Sequence, residues 1–294
     1  YIGTVQTKDS DVDSLTEMMV GEKISLDINR SEPKNVKPRL TLEHISCMNK
    51  EEIKTLDDVS FTANSGEILG VAGIAGSGQK ELLEAVAGIH FPSEGSIIYT
   101  KNDGTTQNIA CLTPPQIIKS GASISFVPED RLGMGLVGSM GMTGNMMLKD
   151  EKQSKSIFVN TSWPRKLAQS IIKKLSVVTP GTEYPVRRLS GGNVQKVLVG
   201  REISSDPGVL MVAYPVRGLD INSSYTIYNA LNAEKEKGVA VISVIEDLDV
   251  ILSLCDRILV LNGGHVTGIL DARKTTKQEI GQLMTSSKKM EAQA

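Results

Sequence analysis

From Asn193 to Leu261 short apolar runs and longer amphipathic segments take strict turns. A helix-length stretch to Ser204 is followed by the run Val209 to Ala213, a second stretch Ser223 to Lys237, the run Ala240 to Val244, a short helix Leu248 to Leu252 and the run Arg257 to Leu261. Runs this short and apolar throughout predict strands covered on both faces. Strands joined through helices lie parallel, so this half predicts a mostly parallel sheet with helices on both sides. The pattern differs nearer the start. Leu40 to Ile45 and Ile53 to Phe61 predict an antiparallel pair with its turn near Asn49. A strand Ile68 to Ala72, a helix Lys80 to Ala87 and a strand Ser96 to Tyr99 follow, then a solvated loop over 101–108, a helix Pro115 to Ser120 and a strand Ser123 to Val127. From Gly133 to about Arg188 the sequence is rich in Met and Lys at helical spacing, above all Lys166 to Leu175, and predicts a helical insertion. The fold class is therefore α/β, with an antiparallel β subdomain and a helical insertion attached to the parallel core.

A chain of 294 residues with 40% hydrophobic content can bury a full core. Lys plus Arg number 32 against 34 Asp plus Glu, so no bulk charge favours nucleic acid or anionic lipid. No stretch approaches the roughly 18 uninterrupted apolar residues of a membrane-spanning helix. Cys47, Cys111 and Cys255 are odd in number and widely spaced, which supports neither a disulfide framework nor a zinc site; all three are expected as small buried hydrophobes.

The two ends of the chain align under one constant shift. Gly3 falls on Gly268, Val5 on Leu270, Lys8 on Arg273, Ser10 on Thr275, Leu15 on Ile280, Met18 on Leu283 and Met19 on Met284. In both copies an apolar strand enters a polar turn and then a helix. An ungapped register of this kind predicts duplication, with residues 1–24 as the tail of a preceding related domain. Residues 25–38 are polar, contain two prolines and predict a linker, and residues 39–288 form the domain proper, with its helical insertion over about 133–188.

Strand Ile68 to Ala72 runs into Gly73-Ile74-Ala75-Gly76-Ser77-Gly78-Gln79-Lys80 and then a helix, the setting in which backbone N–H groups converge on phosphate oxygens. A complete GxxxxGK[ST] loop adds a lysine for the terminal phosphates and a hydroxyl for magnesium. Here Gln79 takes the lysine position and Lys80 the hydroxyl position. After Val209 to Val212, a magnesium-handling protein of this kind ends its strand in Asp-Glu, one acid for the metal and one for the attacking water. This chain has Ala213 and Tyr214, although Pro215 and Arg217-Gly218-Leu219-Asp220 remain. Hydroxyl and carboxylate are lost together, as expected of a site released from hydrolysis. Lys80, one residue out of register, reads as a surface lysine in the first turn of a helix rather than as a replacement cation.

Further on stands Leu189-Ser190-Gly191-Gly192-Asn193, with Gln195 and Lys196 behind it. Ser190 can cap the helix expected from Asn193, so that its hydroxyl, the glycine amides and the helix's positive end face one way.

Glycine loop, Leu-Ser-Gly-Gly-Asn, the strand ending at Pro215, Gly218-Leu219-Asp220 and the segment Ser243 to Arg257 together resemble an ATP-binding cassette (ABC) domain with a RecA-like P-loop core. The resemblance covers everything from Arg39 onward and is similar to the second cassette of a tandem importer subunit of the simple-sugar or nucleoside class. It implies two cassettes head to tail, with each ATP between the glycine loop of one and the signature of the other. Nucleotide-contacting positions would then be Gly73, Gly76, Ser77, Gly78, Gln79, Lys80 and Glu129. Leu189, Ser190, Gly191, Gly192, Asn193 and Gln195 would form the signature offered in trans, and Gly218, Leu219 and Asp220 the D-loop. Glu129 falls where the family has its Q-loop Gln, and Glu246 where it has the switch His. With Ala213 and Tyr214 these leave no catalytic residue of the chain's own. ATP is the implied cofactor, with magnesium at the composite site shared with a first cassette; this chain supplies no metal-binding residue. The implied partners are that preceding cassette, permease subunits docking near Glu129 to Leu136, and indirectly an extracytoplasmic substrate-binding protein, at the cytoplasmic face of the membrane. A soluble tandem cassette working on a nucleic-acid machine is the alternative; the neutral charge balance and lack of a basic arm oppose it.

Overall fold

In the computed structural model, residues 3–11, 15, 18, 28, 30–149 and 160–286 are described. Parts of the expected tail and linker, including Met19, and residues 150–159 of the helical insertion lie outside them. Strands β1 (Pro38–Met48), β2 (Lys54–Asn64), β3 (Ile68–Gly73), β4 (Glu94–Thr100) and β5 (Thr106–Asn108) open the domain, with helix α1 (Gln79–Val86) between β3 and β4. Then come α2 (Pro114–Lys119), β6 (Ile124–Val127), α3 (Met142–Met147), α4 (Ser162–Lys174) and α5 (Gly191–Ile203). The chain continues through β7 (Val209–Ala213), α6 (Ile221–Glu236), β8 (Ala240–Val244), α7 (Leu248–Leu254), β9 (Arg257–Asn262), β10 (His265–Asp271) and α8 (Lys277–Thr285).

The described strands make two sheets, β2-β1-β4-β5, antiparallel throughout, and β10-β9-β3-β8-β7-β6, parallel except for the β10–β9 hairpin. Strands β7 and β8 are buried along their whole length. Their alternate residues divide between two cores, because successive side chains leave opposite faces. Leu210, Val212 and Val241 join Val197, Leu198, Ile227 and Ile251 of the helices on one face. Val209, Met211, Ile242 and Val244 join Leu40, Leu42, Ile45 and Val59 of the antiparallel sheet and Leu82, Leu83 and Val86 of α1 on the other. The parallel sheet thus holds α1 and α5 on opposite faces.

Two expectations change. The segment 101–108 is not wholly loop: Thr106–Asn108 pairs with β4, with Tyr99 opposite Gln107. A three-residue polar strand carries no apolar period to betray it. Cys47 and Cys255 are buried as expected, and burial raises both thiols above their ordinary range, but Cys111 is exposed. The end of the expected linker is bonded to the domain. Lys235, 1% exposed, donates to the Asp256 carboxylate at 2.9 Å and also to the Ser31 carbonyl. Asp256 in turn accepts the Ile68 amide at 2.9 Å, and Arg273 bonds Glu32 at 2.8 Å. Arg30 donates to the Leu252 and Cys255 carbonyls at the end of α7, where unsatisfied carbonyls favour a cation.

The candidate nucleotide and signature sites

The glycine loop leaves β3 at Gly73 and enters α1 at Gln79. Gly78 takes φ +99°, and a Cβ there would lie 2.5 Å from Leu56 and 2.7 Å from the Thr55 carbonyl, so only glycine lets the loop settle on β2. Inside the loop the groups bond to one another. The Ser77 amide donates to the Ile74 carbonyl at 3.0 Å, and Gln79, 3% exposed, folds back over Gly73 to donate its Nε2 to the same carbonyl at 3.0 Å. Gly76 stays at the exposed tip. Lys80 points to solvent and lies 3.7 Å from Glu84 on its own helix, the arrangement expected of a surface lysine.

Beside this loop is a cavity of about 430 Å³ bounded by Gln79, Lys80, Glu129, Ala213 and Tyr214 among others. Glu129 follows β6, Tyr214 follows β7 and Glu246 follows β8, three neighbouring parallel strands ending on one side of the sheet. The end of such strands is where α/β proteins gather their ligand-binding groups. Tyr214 is held at φ +49°, a left-handed conformation rare for a side chain of this size. Its hydroxyl titrates above the ordinary tyrosine range, through burial first and then the Glu129 and Glu246 carboxylates.

At the positions of the family's Q-loop Gln and switch His, two acids would repel a bound phosphate unless neutralised. The structure joins them through Arg217. One guanidinium nitrogen bonds Glu129, the other lies 3.4 Å from Glu246, and the guanidinium carbon is 5.3 Å from the centre of the Tyr214 ring. The available signal was an unassigned arginine three residues beyond Tyr214, beside two unexplained acids. The donor set does not fit magnesium: the hydroxyl position is Lys80, the strand ends in Ala213, Glu129 and Glu246 are taken by Arg217, Asp130 accepts the Leu132 and Gly133 amides, and Glu84 lies beside Lys80. No cluster of three or more His, Cys, Asp or Glu placed to hold a metal ion occurs among the described residues.

The signature turn is built differently. Helix α5 begins at Gly191, two residues earlier than expected, because Ser190 itself is the cap: its Oγ accepts from the Asn193 amide at 3.4 Å and from Asn193 Nδ2 at 2.8 Å. Ser190 and Gly191 are exposed. The first turn of the helix is therefore turned outward, with its positive end toward solvent. Gly192 is buried for a packing reason. A Cβ there would lie 2.6 Å from Ser223 Oγ and 3.2 Å from Asp220 Oδ2, so the glycine lets α5 rest on the start of α6. Asp220 caps α6, accepting the Ser223 amide at 2.8 Å and its hydroxyl at 2.7 Å, and these bonds hold its carboxyl below the ordinary carboxylate range. Gly218 is exposed and Leu219 packs at the edge of the core. Leu189 is half-buried. Gln195 departs from the expectation: it is 1% exposed, turned into the protein, and neither amide atom finds a partner among the described residues. Glycine loop and signature thus lie apart on this chain, each on its own helix.

A parallel core carrying a phosphate-type loop, an antiparallel sheet and a capped Ser-Gly-Gly helix defines the ATP-binding cassette class. Solved structures agree on the fold: a nucleotide-free ATP-binding cassette matches with TM-score 0.66 at 21% identity, covering 85% of this chain and 96% of that one. A dimeric cassette in a post-hydrolysis state with ADP and phosphate matches with TM-score 0.67 at 22% identity, over 80% of this chain and 100% of that one. The family model for ABC transporters matches residues 56–215, and the chain belongs to that family. Among curated proteins it is 35% identical over 294 residues to the guanosine import ATP-binding protein NupO of Bacillus subtilis, covering 99% of this chain and 56% of that protein. It is 36% identical to the xylose import ATP-binding protein XylG of Moorella thermoacetica, over 98% and 56% of the two. The ribose import ATP-binding protein RbsA of Clostridium tetani is 34% identical, over 95% and 54%. The chain spans about half the length of these relatives.

Proposed function

We propose that this chain is the second cassette of a tandem ATP-binding subunit in an importer for simple sugars or nucleosides. It lends its signature turn to the ATP held by a first cassette and keeps a degenerate site of its own. The observation that carries this reading is the contrast within one domain: Ser190 and Gly191 face solvent at a capped helix start, while Gln79 folds into its own glycine loop and Arg217 occupies the acids beside it. The replaced hydroxyl and the missing strand-end acid leave this site without groups to handle magnesium or activate water; when bound at the shared site, magnesium would neutralise the phosphates there.

The duplication behind the tandem reading gains support from matched contacts. A Cβ on Gly3 would meet Met18 at 3.3 Å and one on Gly268 would meet Leu283 at 2.6 Å, the same pair displaced by the same shift. Likewise the Leu15 amide donates to the Asp11 carbonyl at 3.1 Å, and the Ile280 amide to the Thr276 carbonyl at 3.1 Å. Residues 1–24 are on this reading the tail of the first cassette.

Among the described residues no helix is long and apolar enough to cross a membrane. On this reading permease subunits carry the substrate across. Leu132 and Met134, exposed on the turn after Glu129, suit their docking. The subunit would sit peripherally on the cytoplasmic face, with the substrate-binding protein reached only through the permease. The relatives' names span guanosine, ribose, xylose and galactose.

Comparison of ATP hydrolysis by this chain alone and by the complete subunit tests the reading. Negligible turnover alone, together with loss of turnover in the complete subunit on Ser190→Arg, is the expected result. Robust magnesium-dependent hydrolysis by the pure chain would overturn it.

A further inference from the structure

We propose that Arg217 is a resident cation that latches this site shut and, through Arg131, holds the Ser190–Asn193 turn where it is presented to a second cassette. The latch rests on geometry in this chain; its consequence for catalysis rests on the reading above.

Strand β7 lies between β6 and β8, and the turn that leaves it carries Arg217. From that central position the guanidinium reaches sideways in both directions, to Glu129 beyond β6 and to Glu246 beyond β8. A planar fork with five donors can serve two carboxylates at once and stack on a ring as well; an ammonium on a flexible stem cannot. Tyr214 supplies the ring. All three segments that would contact a nucleotide's terminal phosphate in a hydrolytic cassette are thereby tied together by the protein's own charge.

The tie continues to the signature. The Arg217 backbone carbonyl accepts a hydrogen bond from Arg131, the first residue of the turn Arg131–Gly135 that follows Glu129. Another nitrogen of the Arg131 guanidinium lies 3.4 Å from where a Cβ on Gly191 would stand. Arg131 therefore spans from the latch to the exposed start of α5. On its other side the same helix start rests on Asp220 and Ser223, just beyond the turn that bears Arg217. Two supports of the signature thus run back to one short segment.

Exposed ion pairs are individually weak, so the expected effects are moderate and local. In this chain, Arg217→Met is expected to speed amide exchange at Asn193 and Val194, whose amides are bonded to Ser190, by about fivefold while leaving the core strands β7 and β8 unchanged. In the complete subunit assembled with its permease, the same substitution is expected to raise KM for ATP by about fivefold with kcat within about twofold, and Arg217→Lys should recover only part of the loss. Unchanged exchange at the turn overturns the latch. Restoration of exchange and KM by Glu129→Gln with Glu246→Gln in the Arg217→Met background also overturns it, because Arg217 would then only cancel two charges. Faster exchange at the turn with unaltered ATPase kinetics leaves the latch standing and overturns the donation of the signature.

Discussion

Two junctions in this domain lead into a helix through glycines, one at Gly73–Gln79 and one at Ser190–Asn193, and they treat their polar groups in opposite ways. At the first, the loop's Ile74 carbonyl is bonded by both the Ser77 amide and the Gln79 side chain, and Ser77, Gly78 and Gln79 are buried. At the second, the cap is formed by side chains while Ser190 and Gly191 stay exposed. A Gly-rich junction is therefore not by itself a phosphate site. What decides is whether its donors point away from the chain or into it, and that depends on one or two side chains beside the glycines.

Both junctions hang on the same sheet, so the largest effect should strike them together. Lys235→Met strands the Asp256 carboxylate in a buried position, with only the Ile68 amide and a longer contact to Arg273 left. Breaking a buried pair from one side costs about 3 kcal/mol, which thermal and urea unfolding will register as a clear loss of stability. Loss of one junction's order with the other intact in that variant would mean that the two do not both depend on the sheet that lies between them.

The next effect should separate them. Gly192→Val forces a side chain against Ser223 and Asp220 and should cost about 2 kcal/mol of stability by overpacking; lifting α5 from α6 is expected also to abolish ATP turnover in the complete subunit. Gln79→Ala removes the fold-back bond at the other junction and should cost about 1 kcal/mol, with turnover retained. The comparison breaks if Gln79→Ala silences the complete subunit as thoroughly as Gly192→Val does.

The alternating half of the chain was legible because β7 and β8 are buried on both faces and carry unbroken apolar runs, a one-dimensional consequence of a three-dimensional sandwich. The signature was legible for a similar reason: cap and glycines are adjacent in sequence. Arg217 was not, since its partners Glu129 and Glu246 lie on other strands and no local period links an arginine to acids so far away in the chain. The true start of α5 was missed because two glycines look like a loop; their low helix propensity is outweighed by the Ser190 cap and by the contact with α6 that only a glycine allows. Gln195 was misplaced because a polar residue in the middle of a motif gives no sign that its helix face turns inward.

The smallest effect concerns acid. Asp220 has its carboxyl held below the ordinary value by the Ser223 amide and hydroxyl, so it contributes stability that is fully present above the unfolded value of roughly pH 4 and is lost as the pH falls through its folded value. Asparagine at this position caps a helix nearly as well but carries no charge, so Asp220→Asn should cost only about 0.5 kcal/mol at neutral pH, the share of the helix dipole. That difference should vanish once the pH has fallen below the folded value, where the aspartate is itself neutral. Because Asp220 and Ser223 are what Gly192 rests on, the acid-induced loosening should appear first at the bonded amides of the turn, Asn193 and Val194. The glycine loop makes no corresponding bond to a carboxylate through Gln79 or Ser77, so its exchange should not follow the same titration. Hydrogen exchange followed from pH 6 downward through the titration of Asp220 in both proteins, corrected for intrinsic rates, reads this directly. Equal acid responses at the two junctions would show that they are coupled through the domain as a whole and would remove the contrast between an outward and an inward junction.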